Sequence, residues 1–135
     1  MIIIELKEIP DFAGYYASEE GEIFTTLKQG CRDRYDLSKR TEHRKLNVRY
    51  TKHGYGRVYM RRESTNKRED VYIHRIIAEL FIPNPNNLPE VNHLDNNRGN
   101  NKVINLEWIS RIDNLNYAMT NGNMTRNNLG QFTHK

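Results

Sequence analysis

Three side chains in the second half of this chain have the chemistry to hydrolyse a phosphodiester with a single metal ion. His93 is followed by Asn105 after 12 residues and by Asn114 after 21. An imidazole ionises near neutrality, so His93 can take a proton from water. A carboxamide oxygen is a hard, neutral ligand that suits Mg²⁺, Mn²⁺ or Ca²⁺ better than zinc. A second amide can fix the imidazole ring or the loop that carries it. A plainer reading fits the same letters. Residues 84–128 contain 15 Asn, a residue common in turns and loops, and a lone histidine is more often a satisfied structural group than a catalyst. Spacing alone leaves both readings open.

A cleft holding all three side chains needs two short antiparallel strands with a helix packed across them. The flanking sequence predicts that order. "HRIIAELFI" (74–82) has Ile76, Ile77, Leu80 and Phe81 at helical spacing, and Pro83 and Pro85 stop the helix. His93 closes the extended stretch "LPEVNHLD", an Asn-rich loop follows from Asn96 to Asn101, and "INLEWIS" returns as a strand with Asn105 at its start. Ser110 stands as N-cap of a helix through "RIDNLNYAM", which carries Asn114 in its first turns. Asp95 is expected to cap the loop, and Asp113 to sit favourably near the helix N-terminus.

The first half reads as strands. "YYAS" and "EIFTTL" flank the short link Glu19-Glu20-Gly21, a hairpin pattern, and "GRVYMRR" and "EDVYIHR" flank the turn Ser64-Thr65-Asn66-Lys67. Val58 and Met60 alternate with Arg57, Tyr59 and Arg61, so one face packs and the other carries charge. Residues 28–45 are too polar to assign. From Thr120 to Lys135 apolar content is low, and this tail is expected to be poorly ordered unless a partner holds it.

The 135 residues carry a net charge of only +4. Between Lys28 and Arg68 lie 14 basic and 4 acidic residues, a local charge of +10 that leaves −6 for the remainder. Tyr35, Tyr50, Tyr55 and Tyr59 are interleaved with them. Such a stretch can neutralise phosphates while its rings rest on sugars or bases; a solvated face that merely maintains solubility is the alternative. The single cysteine, Cys31, excludes an internal disulfide framework and a Cys-clustered zinc site. "MIII" is the longest apolar run, far short of the roughly 20 residues that span a bilayer and of a signal-peptide core. A soluble, basic, cytosolic protein is expected.

The run "VYIHRIIAELFIPNPNNLPEVNHLDNNRGNNKVINLEWIS" resembles the HNH nuclease domain of phage intron-type homing endonucleases. The shared elements are the His-Arg helix, its F-x-P-N-P exit, the V-N-H-x-D strand, the paired Asn and N-L-E-W. "GYYASEEGEIFTT" is similar to the strand-rich module that often precedes this domain. The resemblance implies an α+β chain: an antiparallel, basic DNA-binding module over 1–70, a ββα-metal HNH nuclease domain over 71–120, and a polar tail over 121–135. It implies a divalent-metal-dependent endonuclease, with Mg²⁺ or Mn²⁺ as cofactor, double-stranded DNA as partner, and a monomeric or weakly dimeric state.

Carried over residue by residue, the resemblance makes His93 the general base, Asn105 the residue that orients it and Asn114 the metal ligand on the helix. Family members often place Asp directly before the base as second ligand; here that position is Asn92, which brings no charge. Arg111, just after the N-cap, is placed to approach the same phosphate. Candidates for DNA contact are Arg44, Lys45, Arg49, Lys52, Tyr55, Arg57, Tyr59, Arg61 and Arg62, with His74 and Arg75 at the start of the His-Arg helix. Relatives frequently continue into a C-terminal helix-turn-helix. With Lys135 as the last residue, base reading is expected to rest on the basic sheet, the tail or a partner. The alternative is a catalytically silent DNA-binding protein that keeps the fold.

Overall fold

The computed structural model describes residues 5–27, 39–120, 124–126 and 132–134. Three strands and a fourth after a gap form an antiparallel sheet: β1 (Leu6–Glu8), β2 (Tyr15–Ser18), β3 (Ile23–Leu27) and β4 (Lys39–Lys45). β2 and β3 are the expected hairpin, and they bury Tyr15, Ala17 and Ile23 by strand alternation. β4 forms where the sequence was too polar to assign. It pairs with β3 across a register shift between Thr25 and Leu27.

A second sheet holds β5 (Arg49–Tyr50), β6 (Gly56–Arg62) and β7 (Lys67–Tyr72). Val58 and Met60 are fully buried and Tyr59 between them is exposed, as the alternation requires. The sequence pattern extended the last strand to Arg75, but β7 stops at Tyr72 and α1 (Ile73–Phe81) takes the next residue with no linker. Ile73 opens the helical period: with Ile76, Ile77 and Ala78 it forms one buried face. Pro83 follows the last hydrogen bond, Ile82 N–H to Ala78 carbonyl, as expected of a residue that cannot continue a helix.

The second half then forms the two-stranded hairpin β8 (Glu90–His93) and β9 (Leu106–Ile109), followed by α2 (Arg111–Thr120). "INLEWIS" does not begin as a strand: Val103–Asn105 make a turn of 3₁₀-helix first, because the Asn105 side chain is drawn into the preceding loop. Ser110 caps α2 as expected, its Oγ accepting from the Asp113 N–H at 3.1 Å. Within the tail, Met124–Arg126 (β10) and Phe132–His134 (β11) pair antiparallel; the other tail residues, like 28–38, lie outside the described set.

One core runs through all of this. Ile9, Phe12 and Ile23 from the first sheet, Val58 and Met60 from the second, the α1 isoleucines, and Val91 and Leu106 from the hairpin form a single buried cluster. Trp108 pins the end of α1 to β9, donating its indole N–H to the Ile82 carbonyl at 3.0 Å. Among the described residues no helix is long and apolar enough to cross a membrane.

Candidate active site

β8 ends at His93, and side-chain alternation divides its last residues between two faces. Val91 and His93 share the face toward α1, opposite Trp108 and Leu106 of β9. Glu90 and Asn92 share the other, where Glu107 lies directly across from Asn92 and Asn114 reaches in from α2.

On the first face the His93 imidazole is 4% exposed. Its Nε2 lies 2.9 Å from Asn101 Oδ1. An amide oxygen can only accept, so Nε2 carries the proton and Nδ1 keeps its lone pair. The ring of His74, in the first turn of α1, stands 5.3 Å away at 65°, and Tyr55 from the β5–β6 turn is 6.1 Å away. Arg98 sits 5.0 Å over the Tyr55 ring and donates to the His53 carbonyl, so the loop reaches back to the second sheet. Burial pushes the His93 pKa below its ordinary 6.5 and outweighs the Asn101 bond and Asp95, which act upward. Burial, with His93 and Arg75 nearby, drives His74 down to about 4. Both rings are neutral at physiological pH.

The loop that presents Asn101 is tied by Asn105 and Asp95. Asn105 Nδ2 donates to Asp95 Oδ1 and to the Asn100 carbonyl, both at 2.9 Å, while its Oδ1 accepts from the Asp95 N–H at 3.0 Å. Asp95 also accepts from Asn97 N–H at 2.8 Å and from Asn100 Nδ2 at 2.9 Å. These bonds hold its carboxyl below the usual carboxylate range. Asp95 thus caps the loop, as expected of it. Asn105 holds both ends of the loop, and its bonds to the base run through Asn101 and the chain.

On the opposite face, Asn92 Nδ2 donates to Glu107 Oε1 at 3.0 Å and Asn114 Nδ2 to Glu90 Oε2 at 2.7 Å. Each amide therefore spends its N–H on a carboxylate and leaves its oxygen side for another partner. Two amide oxygens and two carboxylates form a hard-oxygen donor set that fits Mg²⁺ or Mn²⁺. Glu90 and Glu107 supply the negative charge that Asn92 lacks. Among the described residues no three His, Cys, Asp or Glu side chains cluster, so such a site depends on the two amides.

No family model matches the chain. An uncharacterized HNH endonuclease of Acanthamoeba polyphaga mimivirus is 45% identical over 62 residues, 46% of this chain and 18% of that protein. A second from the same virus is 26% identical over 118 residues, 82% of this chain and 29% of that protein. DNA endonuclease I-HmuI of Bacillus phage SP01 is 26% identical over 122 residues, 90% of this chain and 61% of that protein. The solved structure of the HNH homing endonuclease I-HmuI, described as DNA binding and cleavage, superposes with a TM-score of 0.65 at 26% identity. It covers 87% of this chain and 59% of that one. This chain is similar in sequence and in fold to the HNH homing endonucleases. Its strand-rich sheets and two helices are the HNH homing-endonuclease fold, while it spans less than two thirds of each curated relative's length.

Against the HNH pattern, the structure brings Asn92 and Asn114 to one face and turns His93 to the other. Arg111 is exposed as the first residue of α2. The basic stretch is less available than its charge suggests. Lys45 pairs with Glu22 at 3.0 Å, and Arg49 and Arg57 both address Asp70. Arg62 is clasped between Asp11 and Glu69 over the Phe12 ring, and Arg75 is held by the Pro89 carbonyl, Glu79 and Trp108. These last two hold the fold together. Arg44 is half-buried, Lys52 and Tyr59 are exposed, and Arg49 lies 5.3 Å over the Tyr59 ring. Sequence reasoning missed Asn101, whose letter is lost in an Asn run, and Glu90 and Glu107, which strand alternation around Asn92 could have revealed.

The imidazole pair makes stability depend on pH. Both native pKa values lie below the ordinary 6.5, so the unfolded chain binds more protons in this range. Stability is full above pH 6.5 and is lost as pH falls toward the native value of about 4. Chemical unfolding is expected to show a loss on the order of 2 kcal/mol across that window. His74→Phe should flatten most of it; an unchanged slope would mean that His74 is not buried as a neutral ring.

Proposed function

We propose that this chain is a metal-dependent HNH endonuclease that nicks or cleaves double-stranded DNA. The observation that carries the reading is the buried His93 held by Asn101 through Nε2, on a fold shared with I-HmuI. That bond leaves Nδ1 as the free base nitrogen, and burial keeps the ring unprotonated near neutrality. His93 Nδ1 takes the proton from the attacking water. The phosphodiester enters at the loop end of the β8–β9 hairpin, where Asn92 and His93 adjoin. Asn92 and Asn114 would hold the divalent metal, which supplies charge stabilisation to the phosphate and to the leaving 3′ oxygen. Glu90 and Glu107 fix the two amides with their oxygens outward. Arg111 approaches the same phosphate from the start of α2.

Duplex DNA is held by the outer face of β5–β7 and the turn beside it. Lys52, Arg57 and Arg61 neutralise phosphates and Tyr59 lies against the backbone. Tyr55 and His74 border the reaction centre, and Arg49 exchanges Asp70 for a phosphate.

Two observations favour a second reading, a DNA-binding protein without turnover. His93 and the Asn92–Asn114 pair point to opposite faces of β8, and Asn92 lacks the carboxylate that relatives often carry there.

Supercoiled plasmid with Mg²⁺ or Mn²⁺ separates the two. Conversion to open-circular or linear DNA by wild-type protein, abolished in His93→Ala with binding retained, supports the endonuclease; wild-type binding without conversion supports the silent protein. The binding surface has its own test. Replacing Lys52, Arg57 and Arg61 with Gln should lower the slope of log K against log salt by up to about 0.9 for each phosphate that is no longer neutralised. Arg62→Gln should leave that slope unchanged and lower thermal stability instead. A slope unmoved by the triple variant would place the DNA elsewhere.

A further inference from the structure

The loop that holds His93 does not stand by itself; it is docked on the N-terminal sheet. Gly21, in the β2–β3 turn, adopts φ +82°, and a Cβ built there would lie 2.6 Å from both the carbonyl carbon and the oxygen of Asn101. Real side chains do not approach backbone that closely, so only glycine permits this contact. On the same turn, the Glu19 carbonyl accepts the Val103 N–H at 2.9 Å and Glu20 pairs with Lys102 at 3.6 Å. Three consecutive turn residues thus grip three consecutive loop residues, 101–103. From the other side Gly56 of β6 is buried against the Asn101 amide, where a Cβ would stand 3.4 Å from Nδ2. Asn101 is wedged between two glycines, and its Oδ1 is turned toward His93 Nε2.

We infer that the β2–β3 turn, through the close approach of Gly21 to Asn101, is a positioning element for the His93 imidazole. The first sheet then does more than present basic residues: it sets which nitrogen of the base carries the proton. An added methyl at residue 21 has to displace the Asn101 backbone, and the Oδ1–Nε2 bond goes with it. The consequence for turnover rests on the endonuclease reading; the consequence for the ring does not.

The test compares Gly21→Ala and Gly21→Asn with Gly14→Ala. Asn tolerates positive φ, so Gly21→Asn keeps the steric intrusion while relieving the backbone cost. Gly14 has the same strain, φ +84°, but the nearest atoms a Cβ there meets belong to the Leu27 side chain and not to backbone. The first readout is the ¹⁵N pattern of the His93 ring nitrogens at neutral pH. Wild type and Gly14→Ala should show one tautomer with the proton on Nε2, and both Gly21 variants a mixture. The second is single-turnover cleavage at saturating DNA: both Gly21 variants should fall at least about tenfold in rate, the scale of a small misplacement of a catalytic group, with DNA affinity unchanged. If folded Gly21 variants keep the wild-type ring pattern, the inference is wrong. If the wild type does not cleave, the endonuclease reading fails and the ring pattern alone still decides this one.

Discussion

The bond from His93 Nε2 to Asn101 Oδ1 is the interaction on which the rest of the site depends. An imidazole buried to this degree would rotate and tautomerise unless one nitrogen were fixed. Everything around it serves that fixation. Asn105 and Asp95 knot the loop so that Asn101 faces inward, the β2–β3 turn bears on the Asn101 backbone, and His74 and Tyr55 close the ring in from the side. The result is an imidazole that is neutral, single in tautomer and shielded, at the end of a strand whose other face gathers four oxygen-bearing side chains.

Electrostatics divides the molecule less simply than its charge does. The dense positive stretch between Lys28 and Arg68 is partly neutralised by four acidic residues that all lie outside it: Glu22 at Lys45, Asp70 at Arg49 and Arg57, Asp11 and Glu69 at Arg62. Surface pairs of this kind contribute little to stability, and a phosphate competes for them readily. Arg62 differs, because its guanidinium also covers Phe12 at the edge of the core. Charge counting therefore marks a basic stretch, but could not say which of its arginines are committed to folding.

Much of this was legible in the residues. The period-two alternation of Val58, Tyr59 and Met60 and the helical spacing of Ile76 and Ile77 translate directly into burial, since both follow from local geometry. Ser110 and Pro83 mark helix ends for local reasons too. What escaped depends on contacts between distant segments. Asn101 is one asparagine among many until the fold brings it to His93, and nothing local marks Gly21 as its neighbour 80 positions away. The division of Asn92 and His93 between two faces follows from strand alternation, but consecutive residues in a recognised motif invite the assumption that they act on one point. Asn105 likewise ties the loop that carries Asn101, a route that a motif does not state.

Asn101 is the residue that holds the His93 ring in one tautomer, the form that the proposed chemistry requires. Single-turnover cleavage of plasmid by wild type and by Asn101→Ala, at saturating DNA and saturating Mn²⁺, measures that role most directly. Asn101→Ala is expected to bind DNA as wild type does and to cleave at least about tenfold more slowly, the cost of an unfixed catalytic group. Cleavage by Asn101→Ala at the wild-type rate would contradict it.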